Sequence, residues 1–356
     1  MKNDGHFKYQ ALEDWIKERI STGVFKVGST IPSENELSKR FSCSRQTVRL
    51  ALGKLTDEGL LEKKRGSGTF VSGWVPGITI GFVATNISDY IFPRVARGME
   101  NVLSECGGRV LFGSTKNQVD AERVILQDML ERGIDGLIVE GSRTSFPNPN
   151  LDIYREFEKR GIPYVFINAY YDELAPVHVV TDDRSGAEDA VRFLHRLGHE
   201  RIGGIFKTDD QQGFKRYGGY CDTLRSLGLP VYDNDVVWFT TDGSADLFTD
   251  EDPCGLMARL KNCTAVVCYN DQIAKRMISM FMKQRVRVPQ DISVVGFDCA
   301  PLSQAHPIQI TSMRYPAEEI GREAANRILY MIRTGERAKS LVVKMDLVEK
   351  NSTMER

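Results

Sequence analysis

Residues 32–71 of this 356-residue chain read PSENELSKRFSCSRQTVRLALGKLTDEGLLEKKRGSGTFV. Ser33, followed three positions later by Glu36, is the signature of a capping box and predicts the start of a short helix. Ser44 is a favourable N-cap for a second helix, which Gly59 would end. The stretch therefore predicts two short helices joined by a tight turn.

The second predicted helix has one apolar face and one exposed polar face. Val48, Leu52 and Leu55 recur at spacings of four and three, so they fall on one side. Arg45, Gln46 and Arg49 then point away from that side. Arginine and amide side chains pair bidentately with guanine and adenine edges, and the start of such a helix fits a DNA major groove.

A basic hairpin follows the second helix. Residues 60–65 and 69–71 read as two strands joined by Gly66-Ser67-Gly68, and Lys63, Lys64 and Arg65 supply charge for phosphate contacts. An ordinary helical hairpin with solvated charges is the alternative interpretation. The joint pattern favours a winged helix-turn-helix, with predicted DNA-binding residues Glu34, Arg45, Gln46, Thr47, Arg49, Lys64, Arg65, Gly66, Ser67 and Gly68.

Composition limits the class of protein. Hydrophobic residues make up 41% of the chain and charged residues 27%, which is typical of a globular protein with room for two or three domains. Residues 1–75 carry 13 basic and 9 acidic side chains, a net charge of +4, whereas the remainder carries 34 and 39, a net charge of −5. A basic end on an acidic body is expected when only that end meets nucleic acid.

Targeting and metal signals are not evident in the sequence. We find no apolar run long enough to span a membrane and no signal-peptide pattern, so we expect a cytoplasmic protein with no membrane partner. The seven cysteines are scattered and form no Cys-x-x-Cys pair, and none of the five histidines clusters with a cysteine. We therefore expect reduced thiols, no metal site and no cofactor.

The pattern of the chain changes after residue 71. Residues 72–77 read as a short linker bent by Gly and Pro, and from residue 78 strand and helix patterns alternate repeatedly. Such alternation predicts parallel sheets covered by helices, and the number of strands favours two lobes with a cleft between them. The predicted domains are thus a DNA-binding domain at 1–71, a linker at 72–77 and a two-lobed α/β domain at 78–356.

Ligands of open α/β sheets bind beyond the carboxyl ends of the strands. Polar and aromatic residues at those positions could clamp hydroxyl groups and cover a sugar ring, although each one singly could instead cap the next helix. Asp182 and Asn270 in particular could be such caps. The candidate ligand-binding residues are Tyr90, Phe92, Lys116, Glu140, Asn168, Asp183, Arg216, Asn270, Asp298 and Tyr315.

The first part of the chain resembles the DNA-binding domain of the GntR family of bacterial regulators. The resemblance covers almost all of residues 5–71. It rests on Pro-Ser-Glu, Ser-Arg-x-Thr-Val-Arg, Glu-Gly-Leu and Arg-Gly-x-Gly-Thr-Phe-Val at residues 32–34, 44–49, 58–60 and 65–71. It implies a winged helix-turn-helix that binds operator DNA.

The remainder resembles the effector domain of the LacI/GalR family, which is similar to periplasmic sugar-binding proteins. The resemblance rests on motifs such as Gly-Ile-Asp-Gly-Leu-Ile, Leu-Gly-His-Glu-Arg-Ile and Pro-Gln-Asp-Ile-Ser-Val-Val-Gly-Phe-Asp at residues 133–138, 197–202 and 289–298. It implies that Lys116, Glu140, Asn168, Arg216, Asn270 and Asp298 face the ligand. The family's usual second aspartate is Cys299 here, so only Asp298 carries over.

A GntR-type head joined to a LacI-type body resembles the arabinose-utilisation repressors of bacteria. The resemblance implies a homodimeric repressor that L-arabinose releases from operator DNA. A regulator that responds to another sugar or a phosphosugar, or whose second domain only dimerises, remains an alternative. An enzyme is disfavoured because no Gly-x-Gly-x-x-Gly follows the first α/β strand, and neither a P-loop nor Gly-x-Ser-x-Gly occurs.

Overall fold

A computed structural model describes residues 4–64, 66–72, 78–86, 90–249, 252, 255–299 and 307–356. Arg65 and residues 73–77 of the predicted linker lie outside these ranges. Within them, no helix is both long and apolar enough to cross a membrane.

The N-terminal part, here called the head, is a three-helix unit followed by a hairpin. Its elements are α1 (Asp4–Ser21), α2 (Glu34–Phe41), α3 (Arg45–Asp57), β1 (Leu61–Lys64) and β2 (Gly68–Val71). The two strands are antiparallel, with Leu61 opposite Val71, and Thr30 adds a bridge to Phe70. The predicted helix-turn-helix and wing are confirmed.

The caps that the sequence predicts are present. The Ser33 backbone N–H donates to Glu36 Oε2 at 2.8 Å while the Ser33 hydroxyl accepts from the Glu36 N–H, completing the capping box. Ser44 Oγ accepts from the Thr47 N–H at 3.1 Å and caps α3. Ser33 thus begins α2 and Ser44 begins α3. The C-cap of α2 is Ser42, whose left-handed conformation (φ 47°) turns the chain toward α3.

After the head, the first lobe begins. Its strands and helices alternate as β3 (Thr79–Ala84), α4 (Phe92–Leu103), β4 (Arg109–Ser114), α5 (Val119–Glu131), β5 (Gly136–Val139), α6 (Leu151–Lys159), β6 (Tyr164–Ile167) and β7 (Val177–Thr181). The chain then crosses into the second lobe at residues 181–183.

The second lobe repeats this alternation. Its elements are α7 (Asp183–Arg196), β8 (Ile202–Lys207), α8 (Gln211–Ser226), β9 (Val236–Phe239), α9 (Leu256–Leu260), β10 (Ala265–Cys268), α10 (Asp271–Lys283), β11 (Ser293–Asp298) and β12 (Thr311–Arg314). The chain returns to the first lobe as α11 (Ala317–Thr334) and β13 (Leu341–Val343), and it ends in the second lobe with β14 (Asp346–Val348).

Each lobe contains one six-stranded sheet. The first has the order β13-β7-β6-β5-β3-β4 and is parallel throughout, and the second has the order β14-β12-β11-β10-β8-β9 with only β14 antiparallel. The predicted two-lobed periplasmic-binding-protein-like α/β fold is confirmed. The chain crosses between the lobes at residues 181–183, 314–317 and 343–346. Residues that follow strands of both sheets line a common cleft.

Helices α4 and α11 of the first lobe approach each other at two glycines. A Cβ atom added to Gly98 would lie 2.1 Å from the Glu318 carbonyl oxygen, and one added to Gly321 would lie 2.0 Å from the Val95 carbonyl oxygen. Real Cβ atoms do not approach backbone so closely. The absence of a side chain at both positions therefore allows the two helix backbones to touch.

We predict that Gly98→Ala lowers the stability of the protein, because the helices must separate to admit the methyl group. Overpacking of this kind costs about 1–3 kcal/mol. Gly53→Ala is a matched control, since the same change in α3 meets no atom within 4 Å. Thermal melting of the full chain should give a lower midpoint for Gly98→Ala alone. Equal midpoints for Gly98→Ala and wild type would contradict the close contact.

Candidate functional site

The first candidate surface is the exposed start of α3. Arg45 and Gln46 are exposed to solvent there. Arg49 Nε donates to Glu34 Oε2 at 2.8 Å, and Lys63 Nζ lies 3.6 Å from the other oxygen of the same carboxylate. The hydrogen bond from Arg49 is the main reason that the pKa of Glu34 lies below its usual value. Glu34, the first residue of α2, therefore holds the Arg49 side chain of α3 in place.

The wing adds a second basic surface. Lys64 Nζ lies 2.8 Å from Glu62 Oε1 and 4.8 Å from the centre of the Phe70 ring. Gly66 and Gly68 have φ angles of 79° and 113°, and a Cβ atom on either would meet nothing within 4 Å. Glycine is required at the tip because of backbone conformation rather than crowding. Ser67 closes the turn by donating its N–H to the Lys64 carbonyl.

The second candidate site lies in the cleft between the lobes. It contains a cavity of about 120 Å³, here called the inner cavity. The candidate residues that line it are Phe92, Glu140, Asn168, Arg216, Asn270, Asp298 and Tyr315. Tyr90, Lys116 and Asp183 do not line it. Lys116 instead lines an adjoining larger space, and the other two contact lining residues, as described below.

A chain of hydrogen bonds fixes the first-lobe wall of the inner cavity. Glu140 Oε2 accepts from the Thr85 N–H at 2.8 Å and from its hydroxyl at 2.5 Å, and Glu140 Oε1 accepts from Asn168 Nδ2 at 2.7 Å. The Tyr315 hydroxyl donates to Asn168 Oδ1. Burial raises the pKa of Glu140, and these donors only partly offset that effect. The network therefore sets which way the Asn168 amide faces.

Arg216 lies on the opposite wall. It lies in the second turn of α8 and is only 2% exposed. Its Nε atom donates to Asp183 Oδ1 at 2.8 Å, and its Nη1 donates to the Tyr269 carbonyl.

The environment keeps Arg216 charged. Its guanidinium lies 4.3 Å from the centre of the Phe297 ring. Burial opposes the charged form, but the nearby Asp183 carboxylate outweighs it, so the pKa of Arg216 lies above its ordinary value. A fixed guanidinium beside the cavity can donate to ligand oxygens without first losing rotamer freedom.

Several hydrogen bonds join the two lobes across the cleft. The Tyr90 hydroxyl donates to Asp298 Oδ2 at 2.6 Å. Asn117 Nδ2 donates to Asp209 Oδ2 at 3.1 Å and to Thr241 Oγ1 at 2.6 Å. Sequence reasoning missed Asn117, although it directly follows the candidate Lys116. Tyr269 and Lys207, which also line the inner cavity, were missed in the same way beside Asn270 and at the end of β8.

Left-handed backbone conformations occur at this cleft, and others lie elsewhere in the described chain, for example at Ser42 and Ala175. Four non-glycine residues at the ends of strands have left-handed φ angles, namely Lys116 at 51°, Asn117 at 58°, Asn168 at 65° and Asp298 at 97°. Such conformations cost about 1–3 kcal/mol each and tend to gather at ligand sites. The strain is consistent with a cleft built to aim these side chains inward.

Asn270 serves two roles. Its Oδ1 accepts from the Ile273 N–H at 3.0 Å and caps α10, as the helix-cap interpretation predicts. The residue also lines the inner cavity. No group of three or more His, Cys, Asp or Glu side chains that could hold a metal ion occurs within the ranges described.

Comparison with known proteins follows this division of the chain. Residues 8–71 match the model of bacterial regulatory proteins of the gntR family, and residues 191–353 match the periplasmic binding protein-like domain. The arabinose metabolism transcriptional repressor of Halalkalibacterium halodurans is 37% identical over 98% of this chain and 97% of its own length. The chain belongs to the family of this repressor. The arabinose metabolism transcriptional repressor of Geobacillus stearothermophilus is 38% identical, with 98% of both chains covered.

Among solved structures, the family fold matches the transcription regulator CcpA of Lactococcus lactis with a TM-score of 0.67. The match covers 78% of this chain and 99% of that one, at 22% sequence identity. This likeness concerns the fold.

We predict that the Arg216–Asp183 pair stabilises the second lobe only while both partners are present. Removing one partner from a buried ion pair costs about 3–5 kcal/mol, because the other charge is left without compensation. Asp183→Ala and Arg216→Met should each lower the midpoint of urea unfolding, and the double variant should lose less than the sum of the two.

Arg287 and Asp291 offer a control, because they form an ion pair on the surface with side chains 70% and 37% exposed. Removing that pair should leave the midpoint close to that of wild type. Additive losses for Asp183→Ala and Arg216→Met would show that the two buried charges do not interact.

Proposed function

We propose that this chain represses transcription of carbohydrate-utilisation genes and leaves its operator when L-arabinose binds in the cleft. The observation that carries this proposal is that one chain combines two features. The inner cavity between the lobes can take a small ligand, and the head exposes Arg45 and Gln46 to solvent at the start of α3. The names of the two repressors that share its architecture support arabinose as the effector. We assign residues 1–71 to the DNA-binding domain, residues 72–77 to a linker and residues 78–356 to the effector domain.

The chemistry of the inner cavity suits a small polyol. Carboxylates at Glu140 and Asp298 accept from hydroxyl groups, while Asn168 and Arg216 can both donate to them. Phe92 and Tyr315 offer apolar ring faces for the carbon side of a sugar. A volume of about 120 Å³ favours a single small sugar over a longer saccharide.

We also propose that the protein acts as a homodimer in the cytoplasm, where its DNA target is. Strand β4 forms an edge of the first sheet and leaves Phe112 50% exposed, and Val124 on the neighbouring α5 is 66% exposed. An open edge with apolar side chains favours pairing with another surface. A second copy of the chain would bring a second head to a symmetric operator.

The head contacts the first lobe through a buried ion cluster. Lys17 of α1 lies 2.5 Å from Glu336, 3.1 Å from Glu13 and 3.1 Å from Glu58. Burial lowers the pKa of Lys17, but hydrogen bonds to the three carboxylates outweigh that effect and raise it. Within this cluster only Glu336 belongs to the effector domain, and Lys339 of the same domain adds a second ionic contact, with its Nζ 3.3 Å from Glu18 Oε1 of α1.

Helix α11 connects this cluster with the cleft. Tyr315, which bonds to Asn168 at the inner cavity, comes just before the helix, and Glu336 comes just after it. The 18 residues of α11 span roughly 27 Å. We propose that sugar-induced movement at Tyr315 shifts α11 and with it the docking of the head. A coupling free energy of about 1–3 kcal/mol between sugar and DNA would be typical.

The DNA part of the proposal is tested with an operator selected from random duplexes by the full chain. Arg45→Ala should weaken binding by about 1–3 kcal/mol, because a bidentate base contact is lost. Arg132→Ala removes the same charge just after α5, where the side chain is 60% exposed, and should leave operator affinity unchanged. L-Arabinose should release wild-type protein and Arg132→Ala from this operator.

Fluorescence anisotropy measures both steps. Equal operator affinities for Arg45→Ala and wild type would remove Arg45 from the interface. Release by another sugar of a panel, but not by L-arabinose, would correct the effector, and release by none would favour a domain that only dimerises.

We predict that Glu336→Gln uncouples the two sites, because the neutral amide loses the ionic contact with Lys17. Operator affinity without sugar and arabinose affinity without DNA should stay near their wild-type values. The ratio of operator affinities without and with sugar should fall several-fold. Glu173→Gln, an exposed change on the same lobe, is the control and should keep the wild-type ratio. An unchanged ratio for Glu336→Gln would exclude this route.

A further inference from the structure

The cleft contains a second space beside the inner cavity. This outer chamber has a volume of about 470 Å³, well above the 120 Å³ of the inner cavity. Thr85, Asn117, Lys207, Tyr269 and Asn270 line both spaces, so the two adjoin. A ligand that fills the inner cavity could therefore extend into the outer chamber.

The two spaces differ in charge. Carboxylates of Glu140, Asp210 and Asp298 line the inner cavity and offset the cations of Lys207 and Arg216 there. Lys116, Lys207 and Arg276 line the outer chamber, and none of its described lining residues is an aspartate or glutamate. An inner wall rich in acceptors suits hydroxyl groups, whereas three cations around a concave space suit an anion.

The cations come from both lobes, and local contacts hold Arg276 and Lys207 in place. Lys116 follows β4 of the first lobe in a left-handed conformation, with φ at 51°. Arg276 lies on α10 of the second lobe, and its Nη1 donates to the Ser244 carbonyl at 2.9 Å. Lys207 lies at the boundary between the two spaces, with its Nζ 3.1 Å from Asp210 Oδ2.

The first turn of α10 adds a further attraction for negative charge. Asn270, Gln272 and Ile273 line the outer chamber, so the N-terminus of this 13-residue helix faces it. The positive end of a helix dipole and its first N–H groups favour bound phosphate. Helix end and cationic side chains thus act on the same space.

We propose that the outer chamber is an anion subsite that takes a phosphate group. This phosphate belongs either to a phosphorylated sugar, whose polyol part occupies the inner cavity, or to free inorganic phosphate. The phosphosugar form rests on the proposed sugar-binding function. Because Lys116 and Arg276 belong to different lobes, a phosphate between them also draws the lobes together.

Calorimetry on the full chain with three probes tests the subsite. The probes are L-arabinose, L-arabinose 5-phosphate and inorganic phosphate. We expect the phosphorylated sugar to bind about tenfold more tightly than the free sugar, since charge-assisted hydrogen bonds are added. Added salt should reduce this advantage, because the outer chamber is open to screening ions.

Lys116→Met and Arg276→Met should each remove most of the advantage. Lys275→Met is the matched control, because it removes an exposed charge one position away that does not line the chamber. Operator binding by all three variants reports that they are folded.

The outcomes separate the subsite from the proposed function. Phosphate binding that depends on Lys116 and Arg276, without any binding of arabinose, supports the subsite and contradicts the arabinose effector. Arabinose binding with no heat from phosphate and no gain for the phosphorylated sugar overturns the subsite and leaves the proposed function intact. A gain that persists in both Met variants also overturns it.

Discussion

The buried ion pair between Arg216 and Asp183 is the interaction on which the cleft depends. Asp183 is the first residue of α7, directly after the first crossing between the lobes, and its other oxygen accepts from the Thr181 hydroxyl at 3.0 Å. The same carboxylate holds the guanidinium that lines the inner cavity. The Asp183 side chain thus contacts both the segment that crosses between the lobes, at Thr181, and the guanidinium of Arg216 on the wall of the inner cavity. The pair also explains how a full charge is tolerated at 2% exposure, because Asp183 compensates it directly.

Much of the head could be predicted because its signals are local. Caps at Ser33 and Ser44 and the apolar face of α3 involve residues three or four positions apart. Helix α1 was missed, and its composition shows why: Leu12 and Ile16 are buried, but so are Glu13 and Lys17. Buried charges interrupt the apolar stripe from which an amphipathic helix is recognised.

For the body, the sequence predicted the alternation of strands and helices in two lobes. Residues chosen because they follow strands include seven that line the inner cavity. What strand ends do not encode is which side chains pair across the cleft. Arg216 and Asp183 are 33 positions apart, and Tyr90 and Asp298 are 208 apart. Such pairs depend on how two sheets face each other, which no local spacing records.

The ion cluster around Lys17 has a consequence for how such proteins arise and how they can be rebuilt. A head and a body joined only through a flexible tether could be exchanged freely between regulators. Here the head supplies Lys17 and two of the carboxylates around it, Glu13 and Glu58, and the body supplies the third, Glu336. A chimera that places a foreign head on this body would therefore leave Glu336 facing a surface with no matching cation. Exchange of domains between regulators with this architecture is limited by electrostatic complementarity at the contact between head and body as well as by the length of the linker.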